Sequence, residues 1–215
     1  MVDPVTHQIR GPMSDRIPGT NDTASDDKAF LRRRMRTLRR EHVEALPRSV
    51  LALMFSRPPG PVAERVPEGS LVGLYHAATH EVPTRPYASW LYEHGRKLAL
   101  PWFADKDAPM TFREWENPFV NELVPGPYGV QQPSSDMPEV VPEVLFVPLL
   151  GFTSEGDRLG QGGGHYDRWL AAHPGTRAIG LAWDCQKLDA APREPHDQLL
   201  EGVVTPTRFY ERAVA

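Results

Sequence analysis

A glycine-rich stretch in the second half of the chain has the residue types of an anion-binding loop. In DRLGQGGGHYDRWL (157–170), Gly160 and Gly162–Gly164 precede the predicted start of a helix. Glycine accepts positive φ and lets backbone N–H groups approach a ligand without a Cβ in the way. Such N–H groups, followed by a helix N-terminus, suit a phosphate. The stretch therefore predicts a phosphate-binding loop. The alternative is a flexible β–α connection that binds nothing.

This loop differs from the common phosphate-binding fingerprints. A Walker A loop has Gly-Lys-Ser/Thr after its glycines, where this chain has His165 and Tyr166. The dinucleotide fingerprint G-x-G-x-x-G fails because its third glycine falls on His165. The sequence also lacks the G-x-S-x-G of serine hydrolases and the H-E-x-x-H of zinc enzymes. Asp167, in the first turn of the predicted helix, offers a carboxylate for the Mg²⁺ that accompanies a nucleotide.

A basic helix near the amino terminus is a second candidate for anion binding. Ser25 is predicted as its N-cap, and Leu31, Met35 and Leu38 form an apolar stripe at helical spacing. The other face of this helix is crowded with arginines: Arg32, Arg33, Arg34, Arg36, Arg39 and Arg40. That face is either simply solvated, or one or two of its cations reach an anionic ligand.

Strand-like and helix-like segments alternate along the rest of the chain, and these elements must position the loop. Strands are predicted at 70–76, 97–102, 110–115, 143–150, 177–183 and 202–205. The alternation favours an α/β fold: a three-layer α/β/α sandwich with a mostly parallel sheet. Ligands bind such sheets beyond the carboxyl ends of the strands. Four segments should meet there, namely HAATHE, PWF, the glycine stretch and DCQK.

Composition narrows the class of protein. The 215 residues suit one domain, expected at 26–215, behind a polar mobile arm at 1–25. The net charge of -4 provides no overall electrostatic attraction to nucleic acid or an anionic membrane, so we expect neither as a partner. The sequence has no apolar run of membrane-spanning length and no signal peptide core. A single cysteine fits a reducing cytoplasm.

Several blocks, taken in order, resemble the 5-formyltetrahydrofolate cyclo-ligase family, also called methenyltetrahydrofolate synthetases. They are KAFLR (28–32), HEVPT (80–84), LALPW, MTFREW, YGVQQP, the run from VPLLGF to GQGGGHYDR, and EPHDQLLEGVVT (194–205). The resemblance covers roughly residues 26–211. It implies a NagB/RpiA/CoA-transferase-like fold, and an ATP- and Mg²⁺-dependent ligase that closes 5-formyltetrahydrofolate to 5,10-methenyltetrahydrofolate. ATP would phosphorylate the formyl oxygen, after which N10 attacks the activated carbon. A monomer acting on small molecules is expected.

The resemblance also implies roles for individual residues of this sequence. The residues implied to bind ATP are Lys28, Arg32, Arg158, Gly160, Gly162, Gly163, Gly164 and Tyr166. The residues implied to bind the folate substrate are His76, Glu81, Trp102, Gln161 and His165, with plain core packing as the alternative for Trp102. Glu81, His165 and Tyr166 are the implied catalytic residues, and Asp167 and Asp197 the implied Mg²⁺ ligands.

The chain departs from the family pattern at Thr153, Gln161, His165, Gln132 and Glu201. Two other interpretations therefore stay open. One is a paralogue that binds folate or nucleotide without catalysis. The other is sugar-phosphate isomerase or CoA-transferase chemistry on a related fold. A CoA-transferase needs a glutamate nucleophile, and Glu81 is the only candidate for it. Dependence on ATP would separate the cyclo-ligase from this last class.

Overall fold

A mixed seven-stranded sheet organises the computed structural model, which describes residues 20–213. The helices are α1 (Thr20–Ala45), α2 (Arg48–Leu53), α3 (Gly60–Ala63), α4 (Arg85–Glu93) and α5 (His165–Ala172). The strands are β1 (Leu71–Gly73), β2 (Lys97–Trp102), β3 (Thr111–Glu114), β4 (Val124–Pro125), β5 (Gln131–Gln132), β6 (Val144–Pro148), β7 (Gly151–Phe152), β8 (Arg158–Leu159), β9 (Arg177–Leu181), β10 (Gly202–Val204) and β11 (Phe209–Glu211).

The order in the main sheet is β11-β10-β9-β6-β1-β2-β3. Neighbours from β10 to β2 run parallel, and the outer strands β11 and β3 run antiparallel to their partners. The pairs β4–β5 and β7–β8 form two small antiparallel hairpins outside it. The parallel centre brings the ends of β1, β2 and β6 to one edge of the sheet.

Two apolar cores lie on opposite faces of this sheet, as the alternation of side chains along β6 requires. Val144 and Phe146 pack into a core with Tyr87 of α4. Leu145 and Val147 pack into the other core with Trp169 of α5. The three-layer α/β/α arrangement with a mostly parallel sheet is therefore confirmed.

Helix α1 packs through its predicted apolar stripe. Met35 is buried against Leu150 and Leu159, and Leu31 packs on the same cluster. Leu150 follows β6 directly, so the stripe holds α1 beside the carboxyl end of that strand. The basic face is thereby brought close to the glycine loop.

Element boundaries differ from the sequence prediction at both ends of the chain. Helix α1 begins at Thr20, before the N-cap predicted at Ser25, while most of the predicted arm, residues 1–19, lies outside the described residues. The strand at 202–205 is not the last, because β11 follows and pairs with it. Among helices in the described part of the chain, none combines the length and apolar character needed to cross a membrane.

Candidate active site

A cavity of about 390 Å³ opens at the carboxyl ends of β1, β2 and β6. The predicted site residues in its wall are His76, Glu81, Arg158, Gly160, Gln161, Gly163, Gly164, His165, Tyr166 and Asp167. Three of the four predicted segments meet here. DCQK does not line this cavity: the Gln186 side chain donates to the carbonyl groups of Leu149 and Leu150, so this segment supports the strand end instead.

The glycine loop owes its shape to two left-handed residues. Gly162 has φ of 111° and Gly164, the residue before α5, has φ of 64°. Both values lie where an L side chain is strained. A Cβ on Gly164 would also lie 2.8 Å from Nη1 of Arg168. The loop therefore requires glycine for its conformation, and it presents backbone at the N-terminus of α5.

Helix α1 holds this loop by two arginines. Nε of Arg32 donates to the Gly160 carbonyl over 3.1 Å. Arg36 donates to both the side-chain and the backbone oxygen of Gln161, at 3.2 and 3.0 Å. Arg32 does not line the cavity. Its contact with Gly160 positions the loop.

Glu81 is held on the opposite wall by several donors. Its Oε2 accepts from the Ala78 backbone N–H at 3.0 Å, and its Oε1 accepts from Nε2 of Gln161 at 3.2 Å. Oε1 also lies 3.5 Å from Nη1 of Arg39. The Gln161 contact therefore joins the glycine loop to the carboxylate that was predicted to meet the folate.

Arg39 was missed as a site residue because its position in a run of arginines indicated solvent. Its side chain is only 8% exposed. The apolar stripe carries the signal that could have revealed it: Arg39 lies four residues after Met35, on the same side of α1. A solvated basic face is thus wrong for this arginine, whereas Arg33, Arg34 and Arg40 are exposed.

Lys28 and Asp197 form an ion pair outside the cavity wall. The Lys28 ammonium group donates to Asp197 Oδ2 at 2.7 Å and to Glu194 Oε2 at 2.6 Å. Burial opposes the charge of Lys28, but these carboxylates outweigh it and raise its pKa. Glu194, His196 and Asp197 present ligand atoms within 4.8 Å of one another, a group that does not include Asp167.

Arg158 and Asp167 form a second pair between this cluster and the cavity. Nη2 of Arg158 donates to Asp167 Oδ1 at 2.7 Å, and the Gln198 backbone N–H donates to the same oxygen at 3.2 Å. Arg158 lines both the cavity and a small cleft that Asp197 also lines. Its Nε is buried without a partner. An anion in either space would therefore meet this guanidinium.

His165 lies among aromatic rings at the cavity wall. Its ring centroid is 5.1 Å from that of Phe103 and 5.4 Å from that of Tyr128. Its Nδ1 is 3.2 Å from Nη2 of Arg168. Burial, aided by the Arg168 cation, lowers the pKa of His165 below its ordinary 6.5. The imidazole is therefore neutral at pH 7.

Tyr166 and His76 complete the wall with neutral polar groups. Burial, followed by the Glu81 charge, raises the pKa of Tyr166 far above its usual range, so the phenol keeps its proton. Burial, then the Arg85 cation, lowers the pKa of His76. The cavity wall therefore combines the Glu81 carboxylate with a neutral phenol and neutral imidazoles.

Trp102, implied to bind the folate or else to pack in the core, is not among the residues that line the cavity. The Arg113 guanidinium covers its ring at 4.2 Å. The next residue, Phe103, supplies an aromatic face to the cavity instead. The Gln132 side chain holds the Phe103 backbone in place. Its Oε1 accepts from the Phe103 N–H and its Nε2 donates to the Phe103 carbonyl, each at 3.1 Å.

Comparisons with known proteins identify the family of this chain. A model of the 5-formyltetrahydrofolate cyclo-ligase family matches residues 24–206. A 5-formyltetrahydrofolate cyclo-ligase of Escherichia coli (strain K12) is 31% identical over 189 residues, which is 85% of this chain and 100% of that protein. One from Mycolicibacterium smegmatis is 36% identical over 126 residues, which is 55% of this chain and 64% of that protein.

Solved structures share the fold. A 5,10-methenyltetrahydrofolate synthetase from Mycoplasma pneumoniae superposes with a TM-score of 0.59 at 21% identity, covering 84% of this chain and 98% of that one. The Aquifex aeolicus 5,10-methenyltetrahydrofolate synthetase gives 0.58 at 20%, covering 91% and 95%. Because the family model spans most of the chain and the Escherichia coli relative is matched along its whole length, this protein is an enzyme of the 5-formyltetrahydrofolate cyclo-ligase family.

Proposed function

We propose that this enzyme converts 5-formyltetrahydrofolate to 5,10-methenyltetrahydrofolate and cleaves one ATP to ADP and phosphate in doing so. The observation that carries the proposal is the cavity between the glycine loop and Glu81. The glycine loop in one wall offers backbone N–H groups of the kind that bind phosphate. Glu81 in the opposite wall offers a carboxylate that can accept hydrogen bonds from the N–H groups of a reduced pterin. The family's name supplies the folate as one ligand, and we assign ATP to the glycine loop as the ligand that carries phosphate.

In the proposed reaction, the formyl oxygen attacks the γ-phosphorus and ADP leaves. N10 then attacks the activated formyl carbon and loses its proton, and phosphate leaves with the former formyl oxygen. Such chemistry asks the protein mainly for positioning and for compensation of phosphate charge. Arg158 is the cation in the cavity wall that would face the phosphates, with Gly160 to Gly164 offering backbone N–H groups. Lys28 and Arg32 would contribute from α1.

Glu81, His165 and Tyr166 would act on the folate side. The fixed carboxylate of Glu81 would bind pterin N–H groups and keep the formyl group oriented. The neutral imidazole of His165 has the protonation state needed to accept a hydrogen bond or a proton. Tyr166, which keeps its proton, would donate to a substrate oxygen. His76, Gln161 and Phe103 would shape the rest of the pocket.

The acidic residues fit Mg²⁺ in their donor chemistry, since hard carboxylate oxygens suit that ion. Asp197 and Glu194 lie together, whereas Asp167 pairs with Arg158 and lines the cavity. In this structure their charges are balanced by Lys28 and Arg158. Mg²⁺, when bound with ATP, would neutralise phosphate charge. We also propose that the enzyme works as a cytoplasmic monomer, without nucleic acid or membrane.

The test is growth of the near-ultraviolet absorbance band of methenyltetrahydrofolate. Purified enzyme is mixed with 5-formyltetrahydrofolate, Mg²⁺ and ATP, and matched reactions omit ATP or replace it with ADP. The proposal expects growth only with ATP, and loss of it in Glu81→Gln. Growth without ATP, or a flat trace from folded enzyme, would overturn the proposal.

A further inference from the structure

Arg39 is a buried cation at the back of the cavity. Its Nη1 lies 3.5 Å from Oε1 of Glu81 and 3.5 Å from the carbonyl oxygen of Leu149. Its Nε is buried and has no hydrogen-bond partner. Arg39 is not in the cavity wall, so Glu81 stands between it and any ligand there.

A guanidinium in this position is costly. Removing a charge from water is unfavourable unless a partner compensates it, and an unpaired buried N–H adds to the cost. An apolar side chain would fill the same space on the stripe of α1 without either penalty. The compensating charge is Glu81, whose side chain is only 9% exposed. Each ion therefore makes burial of the other tolerable.

The contacts of Glu81 divide into two groups. Arg39 approaches from the protein interior, whereas the Ala78 N–H and the Gln161 amide belong to exposed residues of the cavity wall. A ligand N–H can take the place of the Gln161 amide without disturbing the Arg39 contact. The carboxylate then keeps its orientation while a ligand exchanges in front of it.

We propose that Arg39 is a positioning residue that keeps the Glu81 carboxylate aimed at the folate. This inference rests on the proposed function, because it assigns the folate to the Glu81 side of the cavity. Arg39 acts only through Glu81. Removing Arg39 should therefore weaken folate binding and leave ATP binding nearly unchanged.

The experiment is a double-mutant cycle of Arg39→Met and Glu81→Gln, with Arg39→Lys as the conservative variant. Arg40→Met is the matched control, since Arg40 is the exposed neighbour on the same helix. The dissociation constant of 5-formyltetrahydrofolate is measured by calorimetry with a non-hydrolysable ATP analogue present. The KM for ATP and the unfolding midpoint are measured on each variant.

In Arg39→Met we expect the folate constant to rise about tenfold, a size usual for coupled contacting residues. The KM for ATP should change by less than about twofold, and Arg39→Lys should recover most of the loss because it restores a cation. In the Glu81→Gln background, Arg39→Met should have less than about a twofold effect. A wild-type folate constant in Arg39→Met, equal effects in both backgrounds, or an equal loss in Arg40→Met would overturn the proposal.

Failure of the proposed function is distinguishable from failure of this inference. If the wild-type enzyme binds no 5-formyltetrahydrofolate, the function proposed above is wrong. The unfolding midpoints of the same double-mutant cycle then still report whether Arg39 and Glu81 are coupled. Additive effects on that midpoint would show that the pair does not interact, and would overturn the positioning role on their own.

Discussion

The ammonium nitrogen of Lys28 lies 2.7 Å from Oδ2 of Asp197, so two residues expected to bind different ligands form one ion pair. Glu194 lies on the same ammonium group, at 2.6 Å. The pair ties the first half of α1 to the segment before β10. This connection links the stability of the enzyme to the residues proposed for ATP and Mg²⁺.

Loss of the Lys28 charge should destabilise the protein. Lys28→Met leaves the partly exposed carboxylates of Asp197 and Glu194 without their cation, so we expect the free energy of unfolding to fall by about 1–2 kcal/mol. Urea unfolding at pH 7 measures this change. Arg33→Met, at an exposed position of the same helix, is the control and should change it little. Equal losses in the two variants would contradict the assignment.

The same ion pair should make the free energy of unfolding sensitive to acid. Burial alone would raise the pKa of Asp197, but the Lys28 ammonium and the Glu194 backbone N–H outweigh it and lower the pKa below 3.8. A lowered carboxyl pKa adds stability above the unfolded value, and this is lost as pH falls through the folded value. The stability difference between wild type and Asp197→Asn should therefore be flat from about pH 5 to 7 and shrink below about pH 3.8. If this stability difference already shrinks above pH 5, a titrating group other than Asp197 is responsible for it.

Two glycines of the loop should respond differently to alanine. Gly164→Ala forces a side chain to φ of 64° and against Arg168, and should cost stability by about 1–2 kcal/mol. A Cβ on Gly160 meets no protein atom within 4 Å, so Gly160→Ala should leave stability unchanged. It should instead raise the KM for ATP about fivefold, by obstructing close backbone approach. Gly175→Ala, also in open space, controls for both effects. An unchanged KM in Gly160→Ala would place the phosphates elsewhere.

Activity should depend on neutral His165. Its pKa is lowered by burial and by Arg168, so protonation below pH 6.5 would put a second cation beside that guanidinium. We expect kcat to fall as pH drops, with a midpoint below 6.5, and His165→Tyr to lose this decline. A pH–rate profile of wild type, His165→Tyr and His76→Gln measures it. His76→Gln is included because burial lowers its pKa too. If only His76→Gln removes the decline, His165 is not the group responsible.

Local patterns were enough to predict much of the architecture. The strand at 97–102 and the helix that follows the glycine stretch both follow from period and glycine signals in neighbouring residues. Placing ligands beyond parallel strand ends then brought Glu81 and the glycine loop to one cavity. These features depend on short-range sequence and on a general rule of sheet topology.

Other features depended on packing between distant segments. Trp102 and Phe103 are adjacent aromatic residues, and only the contacts of Gln132 and Arg113 decide which ring faces the cavity. Arg39 resembles its exposed neighbours in type, yet the docking of α1 buries it against Glu81. Likewise, the charges of Lys28 and Asp197 were visible, but their direct pairing was not, because 169 positions separate them.

The central claim is that ATP activates the formyl oxygen within this cavity, and the fate of that oxygen tests it directly. 5-Formyltetrahydrofolate labelled with oxygen-18 in the formyl group is turned over with ATP and Mg²⁺, and the released phosphate is analysed by mass spectrometry. The account predicts that each inorganic phosphate carries the label from one formyl group. Unlabelled phosphate, with the label recovered in water, would show that ATP hydrolysis and ring closure proceed without a phosphorylated formyl group.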